Sequence, residues 1–494
     1  MVEITSTCQK INPVEAIQVY TQLRNKFAED QLFILESLAG PEADRKKSLI
    51  GFNPVFTITF KKNRFVVSGE PAICQAVAAQ LTQQSYLKKS EAAYELLDNH
   101  AVWQVLRLIE QVFEVDYRGV DTALRFGFFG YLGYDVVRYI EQLPYLIQDE
   151  LDIPDIVLSI YEGVICLDFS QNQTYLTMNH FGAGAHSAEE ILDLISLPVK
   201  STNPGLNTAP APKAVKTTID KSTYMERIKQ ALAHIALGDI YQLQLGQVIE
   251  IQSAITPFEV YQRMRALNPS PYMYFTKMQD VTIIGASPEL FLRIEDIQFT
   301  MRPIAGTIRR THDPETDEKN KQQLLSDEKE LAEHLMLVDL CRNDMGRVSA
   351  VNSLDVNKLM YIEQYSHVFH IVSNVVAELD QRHDKYDVIA ATFPAGTMTG
   401  TPKVRAMELI EQFETTRRGI YAGCTGFIDF RGEMETALCI RTAFHHDDTY
   451  YIRASAGAVA DSVPEKEWLE TISKLSSSYL AITGRELKNE NFID

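Results

Sequence analysis

Two kinds of periodicity divide the chain. In the first 200 residues, Phe56-Thr-Ile-Thr-Phe60 alternates apolar and polar side chains, breaks at Lys61-Lys-Asn-Arg64 and resumes at Phe65-Val-Val67, which predicts a hairpin. Ile156–Phe169 and Thr174–Met178 read as further strands. From Val102 to Val112 the apolar residues recur at helical spacing instead. Phe126-Gly-Phe-Phe-Gly-Tyr-Leu-Gly-Tyr134 mixes β-favouring aromatics with glycines, the composition of a strand that another backbone approaches closely.

Beyond a stretch rich in Pro, Thr, Asn and Ala, helical and strand periods interleave. Helices are predicted near Lys221–Leu237, Pro257–Ala266, Asp327–Cys341, Pro402–Glu411 and Pro464–Tyr479. Strands are predicted at Tyr241–Ile251, Tyr272–Thr276, Val281–Ala286, Phe291–Ile294, Gly426–Phe430 and Tyr450–Ala454. On the last helix, Leu469, Ile472 and Leu475 are the expected buried side. The pattern is one of mixed α/β (α+β) layers. It divides the chain into an N-terminal region 1–200, a linker 201–216, a second region 217–485 and a tail 486–494.

Composition narrows the class. With 494 residues, 45% of them hydrophobic and 23% charged, the chain can bury a large core. The net charge of −19 comes without a basic stripe, which argues against nucleic acid as a partner. No apolar run approaches the roughly 20 residues of a membrane span, and the N-terminus lacks a signal-peptide core. The six cysteines lie far apart with no C-x-x-C pair, as expected of free thiols in a reducing, cytoplasmic setting. An acidic protein that handles an anion must supply a local positive site.

Candidate chemistry sits on two of the helices. Asp327 and Glu330 fit a capping box, and Glu330 and Glu333, three apart, share a helix face. Glu467 and Glu470 repeat the spacing behind Pro464. Two such pairs could surround Mg²⁺, which takes oxygen ligands and keeps room for water and an anionic substrate. On spacing alone, a solvated face is the commoner arrangement. Phe393-Pro-Ala-Gly-Thr-Met-Thr-Gly-Thr-Pro-Lys403 reads equally as a tight loop into a helix or as an anion site at its N-terminus. Arg302-Pro-Ile-Ala-Gly-Thr-Ile-Arg-Arg310 could be a turn with a solvated basic end, and His367 and His370 could be core histidines. Cys424 lacks the glycine two positions before it that a nucleophile elbow requires, so it reads as structural.

Taken together, several runs resemble the chorismate-utilising enzymes. They are Gly285-Ala-Ser-Pro-Glu289, Arg302-Pro-Ile-Ala-Gly-Thr307, Glu330–Asp344, Gly400-Thr-Pro-Lys-Val-Arg-Ala-Met-Glu408 and Glu467-x-x-Glu470, with Phe129-Gly-Tyr-Leu-Gly-Tyr-Asp135 and Leu151-Asp-Ile-Pro-Asp155 before the linker. The resemblance implies a large fold of two sheets with helices packed outside them. It also implies Mg²⁺ held by Glu333 and Glu470, with Glu330 and Glu467 completing the shell. Tyr421, Arg441 and the Ser455-Ala456-Gly457 backbone would hold the enolpyruvyl carboxylate, and Gly306 and Thr307 would line the ring side. Glu289 would act as general acid, with His370 near the leaving group.

Within the family, water-adding members carry a lysine base where this sequence resembles them at Gln242. A glutamine cannot deprotonate water but can orient ammonia. Members that form a covalent intermediate carry a lysine where Ala305 stands here. The resemblance therefore implies direct amination of chorismate at C2, as in the anthranilate synthases, or an enzyme that stops at the aminated intermediate. Glutaminase motifs are missing, so ammonia would come from a separate glutamine amidotransferase subunit. Leu35-Glu-Ser37 and Asn268-Pro-Ser-Pro-Tyr-Met273 resemble a feedback site for tryptophan, with Ser37, Pro271, Tyr272 and Met273 at the ligand. Gly246-Gln-Val248 and Thr401 depart from the usual pattern at positions not expected to touch a ligand.

Overall fold

The computed structural model describes residues 1–488 except 91–92, 123, 183–184, 199–204 and 206–208. Part of the expected linker and most of the tail therefore lie outside the described residues, while linker residues 214–216 belong to the strand Ala214–Thr217.

The strands form one hydrogen-bonded network that divides into two sheets sharing two long strands, Lys47–Lys61 and Ile156–Asp168. Around a break in register at Pro54/Phe56, these two strands pass from one sheet to the other. Their one end pairs with Leu32–Glu36 and Gln173–Phe181, their other end with Arg64–Gly69 and Gly127–Leu132. Sequence halves are interleaved: Leu32–Glu36 pairs with Tyr272–Met278, and Gly127–Leu132 with Cys424–Asp429. The expected hairpin, strands and helices are present, most of them extended by a few residues at one end. Gly130 marks a close backbone approach, since a Cβ there would stand 1.9 Å from the Val157 carbonyl oxygen.

Between the sheets lies a core of Phe33, Phe129, Tyr131, Tyr161, Tyr274 and Phe427 with their neighbours. The helices cover the outer faces. Ala16–Leu23, Pro257–Leu267 and the C-terminal half of Pro464–Thr483 pack on one sheet; Val102–Glu110, Glu328–Gly346 and Lys385–Thr392 pack on the other. Among the described residues, no helix is long and apolar enough to cross a membrane.

Two local expectations are corrected. Leu469 is 44% exposed, because the inward stripe of its helix runs through Trp468, Ile472, Leu475, Tyr479 and Ile482, and at 100° per residue position 469 falls on the other side. Asp327 does cap its helix, accepting from the Lys329 and Glu330 amides. The reciprocal half of the box is not formed, because the Glu330 carboxylate lines a cavity instead.

Candidate active site

A cavity of about 410 Å³, rich in polar and charged side chains, lies where the two acidic helices meet the strand pair Gln242–Gln252 and Thr449–Ala458. Glu330 and Glu333 enter it from Glu328–Gly346, and Glu467 and Glu470 from Pro464–Thr483. Both pairs point the same way for the reason given by their spacing, three residues on a helix. That the two faces confront each other is a property of the fold.

Four carboxylates in one half-buried space repel. Burial, with Glu330 and Glu470 close by, pushes the Glu333 carboxyl up to about 7. Burial likewise raises Glu330 and Glu467. For Glu470 burial works upward too, but Lys474, at 2.6 Å, outweighs it and holds the carboxyl below its ordinary range. Among the described residues, no three acidic, His or Cys side chains converge as they stand into a closed metal cage. The donor chemistry still fits a hard cation: all ligands are oxygens, their like charges lack sufficient counter-charge, and the cavity leaves space for water and an anion. A small oxygen-seeking cation such as Mg²⁺ fits the chemistry of this donor set.

The other sides carry the opposite character. Arg441 lies in the cavity at φ +51° with no ion pair among the described residues, and burial lowers its pKa, so its guanidinium awaits an anion. The Ser455 hydroxyl oxygen is buried with no hydrogen-bond partner among the described residues. Tyr421, Gly306, Thr307, Ser455 and Gly457 also line the cavity, whereas Ala456, alternating with its neighbours, does not. Gly306 adopts φ +69°, and a Cβ there would stand 3.2 Å from Glu330 Oε2.

Two titratable groups hold states suited to proton transfer. Glu289 is buried, accepts from Thr397 Oγ1 at 3.0 Å, and burial pushes it up to about 8. It is thus a carboxylic acid near neutrality. Burial pushes His370 down to about 4. Its Nδ1 is 2.9 Å from the Thr307 hydroxyl, which can donate or accept, and 3.1 Å from the Gly306 carbonyl oxygen, which can only accept; the tautomer with the proton on Nδ1 and a basic Nε2 satisfies both.

Gln242 is placed differently from its expected role. It is fully buried and does not line the cavity; its Nε2 donates to Glu333 Oε1 at 2.8 Å. Instead of facing a nucleophile, it orients a carboxylate. Lys403 is unavailable for an anion, being ion-paired with Asp344 and bonded to the Thr392 carbonyl at 3.1 Å. His367 bonds to the Leu267 carbonyl away from this cavity, and Cys424 is buried with its thiol pushed up, an inert core residue.

Sequence reasoning missed Gln244, Thr397 and a site role for Lys474. Lys474 could have been found from its place four residues after Glu470, and Gln244 from sharing the strand face of Gln242. Thr397 lies within the singled-out run Phe393–Lys403, but nothing in the sequence tells it from the other threonines there.

A second, small cavity of about 40 Å³ is lined by Leu35, Glu36, Pro271, Tyr272 and Met273. Ser37 Oγ donates to the Pro271 carbonyl at 2.8 Å and ties the two segments together. Beside it the charged groups are paired: Tyr272 donates to Asp44 at 2.8 Å, Arg293 donates to Tyr272 at 3.2 Å, and Arg302, which lines a neighbouring cavity, pairs with both Asp44 and Glu363, its buried Nε alone having no partner among the described residues.

The chain is similar to known proteins over most of its length. Residues 44–479 match the family described as chorismate binding enzyme. The chain is 41% identical to the 2-amino-4-deoxychorismate synthase of Streptomyces globisporus over 96% of its own length and 95% of that protein. It is 42% identical to anthranilate synthase component 1 of Aquifex aeolicus over 74% of this chain and 76% of that one. Its fold matches the crystal structure of anthranilate synthase component I from Streptococcus pneumoniae with a TM-score of 0.71, at 30% identity, covering 88% of this chain and 92% of that chain. An acid-lined cavity with an unpaired arginine, in a sequence matched over most of its length, makes this chain a member of the chorismate-binding enzyme family, whose substrate is chorismate.

Proposed function

We propose that this chain is the synthase subunit of an anthranilate synthase, joining ammonia to chorismate and releasing anthranilate and pyruvate. The observation that carries the reading is one cavity holding an acid (Glu289), an unpaired cation (Arg441) and an all-carboxylate cluster, with no lysine at either position where an alternative chemistry would need one. Position 242 is glutamine and the cavity-lining position 305 is alanine, so neither water activation nor a covalent amine intermediate has its base or nucleophile.

When bound by Glu333 and Glu470, with Glu330 and Glu467 beside them, Mg²⁺ supplies charge neutralisation and a fixed seat for the ring carboxylate. Arg441, the Ser455 hydroxyl and Tyr421 hold the enolpyruvyl carboxylate; a guanidinium can do so through two parallel hydrogen bonds. Ammonia attacks C2, the two ring double bonds shift, and the C4–O bond breaks. Glu289 gives its proton to the departing hydroxyl, which leaves as water, and becomes a carboxylate. In the second half, His370 Nε2 takes the C2 proton while the C3–O bond breaks, releasing pyruvate and an aromatic ring. Ammonia comes from a glutamine amidotransferase partner, and tryptophan, bound by Ser37 and Pro271–Met273, inhibits.

A second reading has specific support. The relative from Streptomyces globisporus matches across nearly the full chain, and its name denotes a product with C2 aminated and the C4 hydroxyl gone, the intermediate before pyruvate leaves. Incubation with chorismate, Mg²⁺ and ammonium separates the two. Anthranilate fluorescence with stoichiometric pyruvate is the expected result. A non-aromatic amine without pyruvate would assign the amination-only reaction, and no amine at all would overturn both.

A further inference from the structure

The strand alternation of Gln242–Gln252 puts residues 242 and 244 on one face, opposite Gly457 of the neighbouring strand, whose register partner is Gln244. A Cβ at position 457 would stand 2.8 Å from the Nε2 atoms of both glutamines and 3.4 Å from Glu333 Oε1. Two amides and one carboxylate therefore meet over a single glycine. Their situations differ. Gln242 has no exposed surface, its Nε2 is held by Glu333, and its Oε1 is buried with no partner. Gln244 lines the cavity, and its side-chain amide makes no hydrogen bond to any protein group among the described residues.

We propose that Gln244, rather than Gln242, receives the nucleophile: its Oε1 accepts an N–H of ammonia beside Glu333 and directs the nitrogen lone pair at the ring of chorismate. The inference rests on the amination reading and names the residue that makes it specific. Ammonia has three N–H donors and one lone pair. That lone pair must stay free to form the C2–N bond, so the protein can hold ammonia only through acceptors. An amide oxygen is an acceptor that does not take a proton at neutral pH, so it orients ammonia without converting it to ammonium. It is also too weak a base to turn water into hydroxide, so water in the same place stays unreactive. Gln242 acts on a different object, fixing the rotamer of Glu333.

The test uses the full chain with Gln244→Leu and Gln244→Met, each titrated with ammonium at saturating chorismate and Mg²⁺ and with chorismate at saturating ammonium. The expected result is a rise of about tenfold in half-saturating ammonium, the equivalent of about 1.4 kcal/mol. Half-saturating chorismate stays within about twofold. Met fills the space of the glutamine if Leu perturbs the fold. In parallel, Gln242→Leu weakens divalent-ion binding measured by calorimetry on the enzyme without substrate. Unchanged ammonium dependence in a folded Gln244 variant overturns the assignment, as does a shift in chorismate alone, which would make Gln244 a substrate contact. A wild-type enzyme that forms no amine would sink the amination reading and this inference with it; amination by wild type with unshifted variants sinks this inference only.

Discussion

The cavity between the acidic helices and the small cavity beside Ser37 are built from the same residue types and treat them in opposite ways. In the first, of about 410 Å³, Arg441 has no counter-ion, the Ser455 hydroxyl has no partner and carboxylates crowd one another. Beside the second, of about 40 Å³, Tyr272 is bonded to Asp44 and Arg293, and Arg302, which lines a neighbouring cavity, is ion-paired with Asp44 and Glu363. Unmet polar groups cost stability in the empty protein, so a fold keeps them where a ligand will complete them. Matched groups hold segments together. An arginine in one place is a receptor and in the other a rivet.

That contrast can be broken by substitution. On the proposed reading, Glu470→Ala and Glu333→Ala should lower kcat/KM by about 10³-fold or more, each removing a metal ligand and several kcal/mol of transition-state charge stabilisation. Thermal unfolding without added ion should show little loss for Glu333→Ala, because a repelled carboxylate has gone, and a larger loss for Glu470→Ala, which leaves Lys474 without its ion pair. A fully active Glu470→Ala enzyme would end the metal assignment. Glu289→Gln should cost on the order of 10²–10⁴-fold. Glu289 must be protonated to act, and with its carboxyl at about 8 the wild-type rate should fall as pH rises through that value. The variant should lose this alkaline limb; a limb unchanged in Glu289→Gln would assign it to another group.

The arginines give the direct comparison. Arg302→Met should destabilise by roughly 3–5 kcal/mol, leaving Asp44 and Glu363 buried without their counter-charge. Arg441→Met should leave thermal stability unchanged or improved and raise half-saturating chorismate by roughly 10–100-fold, the value of a charged hydrogen-bond pair. Equal thermal losses in both would erase the distinction between the two regions. Smallest is Ser37→Ala. It loses the bond to the Pro271 carbonyl, worth about 1 kcal/mol, and should raise the tryptophan concentration needed for half-inhibition severalfold. Unaltered inhibition would detach this cavity from regulation.

Much of the site was legible because helical spacing is local. Glu330 with Glu333 and Glu467 with Glu470 had to share faces wherever the helices went. The resemblance then brought those faces together, which spacing cannot do. Failures came where a tertiary partner decides. Leu469 lost the inward position to Trp468, one residue and about 100° away, because both are apolar and only the packed neighbours decide which of them faces inward. Gln242 sits beside the substrate cavity as expected, yet its amide is taken up by Glu333, a contact across 91 residues of sequence. For Lys403 the sequence left a tight loop and an anion site equally open, and its ion pair with Asp344 decides against the anion. Strand and helix types were readable throughout, while the sharing of two strands between both sheets was not, because register breaks such as that at Pro54/Phe56 depend on partners far along the chain.

Those shared strands bear on how the polypeptide can be made. Lys47–Lys61 and Ile156–Asp168 belong to both layers, and strands from before the linker are hydrogen-bonded to strands after it. A ribosome finishing the first 200 residues has released long edges whose partners are still unsynthesised, so nascent chains pass through an interval of exposed β-edges. Cleavage near residue 205 after folding should leave two fragments that stay associated and active, whereas the same fragments expressed separately should find their register only when refolded together.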